Sequence, residues 1–149
     1  MRILAGLISF GRLLFGVTFI AEPKLMERAW IGKQARLPGA QLLARAVGAR
    51  DLALGLGGLQ ALRRKDGSAR PWLTAAAVCD VVDFGATWTA GRGIPREARN
   101  GVLAVAGVSA ILSAVAAVGV RRCGDAEPLP PGAHHAGSGA VPSEPVGTA

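Results

Sequence analysis

Four long apolar stretches alternate with short polar connections along this chain, at about residues 3–21, 40–62, 71–90 and 101–120. Each is close to the ~20 residues an α-helix needs to cross the hydrocarbon core of a bilayer. Their boundaries carry helix punctuation. Glu22-Pro23 closes the first stretch and Pro38-Gly39 leads into the second. Pro71 falls in the first turn of the third, where its missing N–H costs nothing. Gly91, Gly93 and Pro95 separate the third from the fourth. A soluble bundle would need a polar outer face on each helix. The fourth stretch carries no charge, and the other three carry only isolated ones. The pattern therefore predicts an all-α fold, an integral membrane four-helix bundle over residues 1–122, with residues 123–149 as a tail. That tail is Pro, Gly, Ala and Ser without Lys or Arg, a composition that predicts disorder.

The connections refine the picture slightly. Leu25, Met26, Ala29, Trp30 and Ile31, set among Lys24, Glu27, Arg28 and Lys33, suit either a short interfacial helix anchored by Trp30 or a polar loop. Asp66-Gly67-Ser68 marks a tight basic turn between the second and third stretches. Arg2 followed by an apolar run has the outline of a signal peptide. Arg12 interrupts that run, however, and Phe19 stands where a cleavage site before Glu22 would need a small residue, so an uncleaved first span is expected.

Charges inside the apolar stretches are the main candidate chemistry. Arg12 lies in the first, Arg45, Arg50 and Asp51 in the second, and Asp80 and Asp83 in the third. A charge at the bilayer centre costs about 2.5–3.5 kcal/mol, so six unpaired charges would cost on the order of 15–20 kcal/mol. Three positive and three negative groups imply pairing. Consecutive spans run in opposite directions, and depth can be measured at 1.5 Å per residue from the face of the first connection. Arg12, Arg50, Asp51 and Asp80 fall about 14–17 Å deep, and Arg45 and Asp83 about 8–10 Å. The matched depths suggest Arg45 with Asp83, Arg12 or Arg50 with Asp80, and the remaining arginine with Asp51. Arginine suits such sites because its planar fork engages a carboxylate through two hydrogen bonds. Arg45 is also shallow enough to snorkel.

The same residues lie on stripes of small side chains with a seven-residue repeat. Ala5, Ser9, Arg12 and Gly16 form one, and Ala44, Gly48, Asp51, Gly55 and Gly58 a second. Ala76, Asp80, Asp83, Thr87 and Ala90 form a third. Small residues allow close backbone approach where lipid provides no hydrophobic drive between helices. Gly16, Gly48, Gly55 and Gly58 are the expected packing glycines, with Gly107, Ser109 and Ser113 completing the bundle from the fourth span.

Composition changes the picture in two ways. The net charge is +7 and half the residues are hydrophobic. The basic residues flank apolar spans and no recognition motif accompanies them, so the expected partner is the lipid bilayer and not nucleic acid. The predominance of arginine over lysine, with abundant Ala and Gly, suggests a GC-rich bacterial genome and hence the bacterial plasma (inner) membrane, multi-pass. The basic residues divide evenly between the faces. Arg2, Arg63, Arg64, Lys65, Arg70, Arg121 and Arg122 fall on one side, and Lys24, Arg28, Lys33, Arg36, Arg92, Arg96 and Arg99 on the other. The positive-inside rule thus gives no orientation, and both termini are assigned to the cytoplasm as a working expectation.

Three segments together carry a resemblance: "GRLLFG" at Gly11–Gly16, "RAVGARDLALG" at Arg45–Gly55 and "DVVD" at Asp80–Asp83. The chain resembles an uncharacterised bacterial family of small four-helix membrane proteins, a domain of unknown function, most specifically through Gly48, Arg50 and Asp51 as Gly-x-Arg-Asp. The resemblance spans roughly Phe10 to Val118 and implies fold and membrane location, with no catalytic residue. A weaker resemblance, through "RLLFGVTFIAEPKL" at Arg12–Leu25, is to DoxX-like four-helix membrane proteins, some of which are linked to quinone or thiol redox chemistry. This chain has no Cys-x-x-Cys pair for thiol exchange.

The expected function is a small integral membrane protein acting as an accessory or interaction subunit, with a homo-oligomer or a membrane protein as partner. One alternative is a small proton-coupled or polar-solute transporter using the same network. Another is a DoxX-like membrane redox component. No catalytic residue, cofactor site or metal site is expected. Spans without histidine offer no nucleophile–base pair, Cys79 reads as a small buried hydrophobe, and His134-His135 lack further ligands.

Overall fold

The computed structural model describes residues 1–24, 37–64, 68–93 and 95–124, excepting the side chains of Arg92 and of residues 121–124. The segment around Trp30, the turn residues Asp66 and Gly67, the tail from residue 125 and His134-His135 lie outside the described residues. Four α-helices and no strand occur among the described residues: α1 (Arg2–Ala21), α2 (Pro38–Arg64), α3 (Ala69–Ala90) and α4 (Arg96–Gly124). A short 3-10 turn, Gly91–Gly93, joins α3 to the segment before α4. Gly91, at the C-cap of α3, has φ +56° and ψ −122°, a positive-φ conformation open chiefly to glycine because it has no Cβ.

The helices exceed the apolar stretches by a few residues at most ends because polar residues extend the last turns. α2 continues to Arg63 and Arg64, whose cations suit the negative end of the helix dipole. α4 begins at Arg96, with Glu97 in its first turn, where an anion is favoured. Contacts fix the helix directions. The Arg2 guanidinium donates to the Leu62 carbonyl. Farther along, Gly55 lies against the Ser9 and Leu13 backbone, and Gly16 against that of Gly48 and Leu52. Numbering rises along α1 as it falls along α2, so the two are antiparallel. Trp72 on Gly57 with Asp83 at Arg50 shows the same relation for α2–α3, Leu73 in one cluster with Ala116 and Ala117 together with Phe84 beside Gly107 shows it for α3–α4, and Met1 against Gly119 with Arg12 at Ser109 shows it for α4–α1. The result is an up-down-up-down bundle.

What lies inside is small. At the end formed by the start of α1, the buried cluster is Ala5, Ala61, Ala69, Leu73, Ala116, Ala117 and Val120. At mid-height the buried residues include the polar Ser9, Arg12, Asp51, Asp80 and Ser113 beside Ala76, Gly48 and Gly55. Phe19 and Leu73 are buried, but many of the large apolar side chains point outward. Ile3, Leu7, Phe10, Leu14 and Val17 form an exposed stripe on α1, and Val105, Val108, Ile111, Val115 and Val118 one on α4. Leu7 and Ile111 are each 65% exposed. Among the described residues, α1 and the Arg96–Val120 part of α4 are the two helices long and apolar enough, by length and composition, to cross a membrane. α2 and α3 are long enough at 27 and 22 residues, but they carry charged residues at their middles, and α2 is rich in glycine.

Candidate functional site

The packing of α1 on α2 sets up the site. A Cβ on Gly16 would stand 2.5 Å from the Leu52 nitrogen and 2.6 Å from the Gly48 carbonyl oxygen. One on Gly55 would stand 2.6 Å from the Ser9 carbonyl oxygen, and one on Gly48 2.8 Å from the Phe19 Cβ. Gly58 lies against the Ser9 side chain. No larger residue fits at Gly16 or Gly55 without moving backbone. Between these contacts Arg12 of α1 faces Asp51 of α2 at close range, and α3 and α4 close over the pair.

Arg12 is the hub. Its Nη1 donates to Asp51 Oδ1 at 2.5 Å, and its Nη2 donates to Asp80 Oδ2. Nη2 also lies 3.2 Å from Ser109 Oγ and 3.3 Å from the Ala76 carbonyl oxygen. One guanidinium thereby ties together all four helices. Arg50 forms a second, two-pronged pair with Asp83, Nη1 to Oδ1 at 3.1 Å and Nη2 to Oδ2 at 2.7 Å. Arg50 Nη2 is 3.4 Å from Asp51 Oδ2, a looser ionic contact that joins the two pairs. The groups read in order as Asp80, Arg12, Asp51, Arg50 and Asp83, a chain of alternating sign. Asp80, Arg12 and Asp51 are buried, whereas the Arg50 and Asp83 side chains are 29% and 21% exposed. The chain therefore runs from a closed interior to the bundle surface. Thr87 Oγ1 donates to the Asp83 carbonyl one turn away. Two guanidiniums against three carboxylates leave a formal charge of −1. The Arg12 Nε is buried without a hydrogen-bond partner, as is Ser113 Oγ one turn beyond Ser109 on α4.

Arg45 is the exception among the charged candidates. It is exposed, and the pairing expected from its depth, Arg45 with Asp83, is replaced by Arg50 with Asp83. The reason is angular. At about 100° per residue, Arg50 and Gly57 lie on the same flank of Asp51, about 100–120° round the helix, and Arg45 lies about 120° round on the other flank. Trp72 of α3 packs on Gly57, so α3 and its Asp83 occupy the Arg50 flank. Ala90, taken as part of the α3 stripe, is exposed, and Asp83 is only half-buried.

Sequence reasoning also missed two contributors. Ser109 was expected only as a packing residue, yet it touches the hub; its level opposite Arg12 was the available signal. Gly57 lies off the seven-residue stripe, and only the Gly-x-Gly-Gly run at residues 55–58 hints that α2 presents two close-packing faces. Arginine and aspartate in fixed alternation can hold helices in register and orient one another. No group of three or more His, Cys, Asp or Glu able to hold a metal occurs among the described residues. Comparison of the chain with protein-family models, curated proteins and solved structures yields no match.

Proposed function

We propose that this chain is a small multi-pass integral membrane protein of a bacterial inner membrane, in which all four helices span the bilayer and the Arg–Asp chain holds them in register. The observation that carries this reading is the inverted distribution of side chains. Alanine, glycine, serine and ion pairs make up most of the interior, with Phe19 and Leu73 the largest apolar side chains buried among them, while many leucine, isoleucine, valine and phenylalanine side chains are exposed on the outside. Soluble proteins rarely expose contiguous apolar patches beyond a few hundred Å². The apolar windows of α1 and α4 are only 28% and 22% buried, whereas the core helix of a soluble protein would be mostly buried. Hydrocarbon is the solvent that suits such a surface, and small-residue packing with buried polar contacts is how helices associate within it.

The ionic chain makes α2 and α3 compatible with a bilayer. Each of their central charges has a partner of opposite sign, which removes most of the cost that an isolated charge would carry. Arg45 is exposed about 10 Å into α2, shallow enough for its stem to reach headgroup level. The integration of Arg12 into all four helices supports retention of α1 as a span, because removing α1 would take from Asp80 its described ion-pair partner and leave Asp51 with the looser 3.4 Å contact to Arg50. The resemblance to four-helix bacterial membrane proteins belongs to the same proposal.

Within that setting the chain acts as an accessory or interaction subunit, with both termini in the cytoplasm. Asp51 and Asp80 are closed over by four helices, which favours register-holding over solute transfer as the role of the network. The test is fractionation of the full chain expressed in bacteria. Retention in membranes after alkaline carbonate extraction, with release only by detergent, is the expected outcome. Recovery in the soluble fraction without detergent would overturn the membrane reading. Reporter fusions at each terminus check the orientation.

A further inference from the structure

We propose that the arginine end of the bundle carries a binding site for an anionic phospholipid, with the phosphate held at Arg70 and an acyl chain laid along the outer side of α3. This inference rests on the membrane reading above and adds a ligand and a place.

Two independent observations meet at this position. The first is a furrow of about 570 Å³ on α3, lined by Arg70, Pro71, Thr74, Ala75, Val78 and Cys79. These residues form two adjacent rows at i, i+4 and i+8, so the furrow extends about 12–14 Å from the start of the helix. Its polar groups, the Arg70 guanidinium and the Thr74 hydroxyl, are at the outer end. Pro71, Ala75, Val78 and Cys79 supply apolar walls deeper along the helix. That is the order of polarity along a phospholipid, headgroup first and hydrocarbon beneath. The walls are shallow because Pro71, Thr74 and Ala75 are small, which leaves room for a chain between the larger neighbours.

The second observation is charge. The same end gathers Arg2, Arg63, Arg64 and Arg70, and no carboxylate occurs among the described residues of the terminal turns there. The opposite end carries Glu22 and Glu97 beside its cations. A guanidinium engages phosphate oxygens through two parallel N–H donors. A zwitterionic lipid brings its own cationic group into this cationic end, a quaternary ammonium in phosphatidylcholine, and is disfavoured, whereas a net-negative headgroup is not. Trp72, 40% exposed in the same turn as Arg70, sits where an indole anchors at headgroup level.

The experiment uses the full chain reconstituted in nanodiscs of equimolar phosphatidylglycerol and phosphatidylcholine, then released into mild detergent for native mass spectrometry of retained lipid. Wild type is expected to retain phosphatidylglycerol at least about fivefold over phosphatidylcholine, a preference worth about 1 kcal/mol. Arg70→Gln removes the phosphate contact and Ala75→Trp fills the furrow, and each is expected to bring the ratio close to one. Arg96→Gln, at the other end, keeps the wild-type ratio. Helicity and elution volume verify that each variant is folded. Insertion with no lipid preference, or an unchanged preference in both Arg70→Gln and Ala75→Trp, would overturn the site and leave the membrane reading standing. Failure of the wild type to enter nanodiscs would overturn both.

Discussion

The charge count of the buried chain makes arginine and aspartate unequal. Replacing Arg12 with Met removes the guanidinium that serves Asp51 and Asp80 together. Asp51 keeps its 3.4 Å contact to Arg50, but Asp80 loses its one described ion-pair partner, and the formal charge of the cluster goes from −1 to −2. Stranding a buried charge by removing its partner costs about 3–5 kcal/mol. Replacing Asp80 with Asn moves the charge the other way, from −1 to zero, and leaves Arg12 paired with Asp51 and Arg50 with Asp83. The loss is then confined to one charge-assisted hydrogen bond, with relief of the excess negative charge to offset it, and about 1 kcal/mol or less is expected. In the double variant the count returns to −1, so Asp80→Asn should recover at least about 2 kcal/mol of the Arg12→Met loss. Unfolding in mixed micelles, titrated with dodecyl sulfate and followed by helicity, measures all four corners of the cycle. Equal losses for the two single variants, or simple additivity in the double, would refute the reasoning.

Further consequences follow from particular contacts. Gly16→Ala places a methyl 2.5 Å from the Leu52 backbone and should cost about 1–3 kcal/mol, whereas Gly11→Ala, mid-helix with nothing within 4 Å, should lose nothing and gain up to about 1 kcal/mol in the same titration. Arg45→Gln should change stability by less than about 0.5 kcal/mol because Arg45 is exposed. Arg50→Lys should lose about 1 kcal/mol or more, since an ammonium cannot reproduce the two-pronged contact with Asp83. Ser109→Ala should cost about 1 kcal/mol through the lost contact with Arg12, and double-mutant analysis should show that this loss disappears once Arg12 is replaced.

Much of the architecture is legible in the sequence because a bilayer-length apolar run and a seven-residue repeat of small residues are both one-dimensional signals. The stripe Ala44, Gly48, Asp51, Gly55 and Gly58 is buried in full, and Ala5, Ser9, Arg12 and Gly16 meet it from α1. Depth is legible too, since rise per residue is constant. Which flank of a helix meets which neighbour is not. Arg45 and Arg50 sit on opposite flanks of Asp51, and a choice between them as the partner of Asp83 requires the winding of the bundle, which no local pattern encodes. The same limit hides the second close-packing face of α2, where Gly57 admits the Trp72 ring. The α3 stripe frays at its end. Thr87 is buried, whereas Ala90, the last residue of α3, is exposed.

The central claim is that the apolar stripes meet lipid while the charges at the same height face one another. Nitroxide labels at Leu14, Val82 and Val108, each exposed close to the level of the Arg12 cluster, test it most directly in the full chain with Cys79→Ser and Cys123→Ser. After reconstitution in vesicles, all three labels should be broadened strongly by oxygen and hardly at all by a water-soluble nickel complex. A label at Gln60, exposed near the end of α2, should show the reverse. Nickel access at the three mid-height positions equal to that at Gln60 would contradict the account.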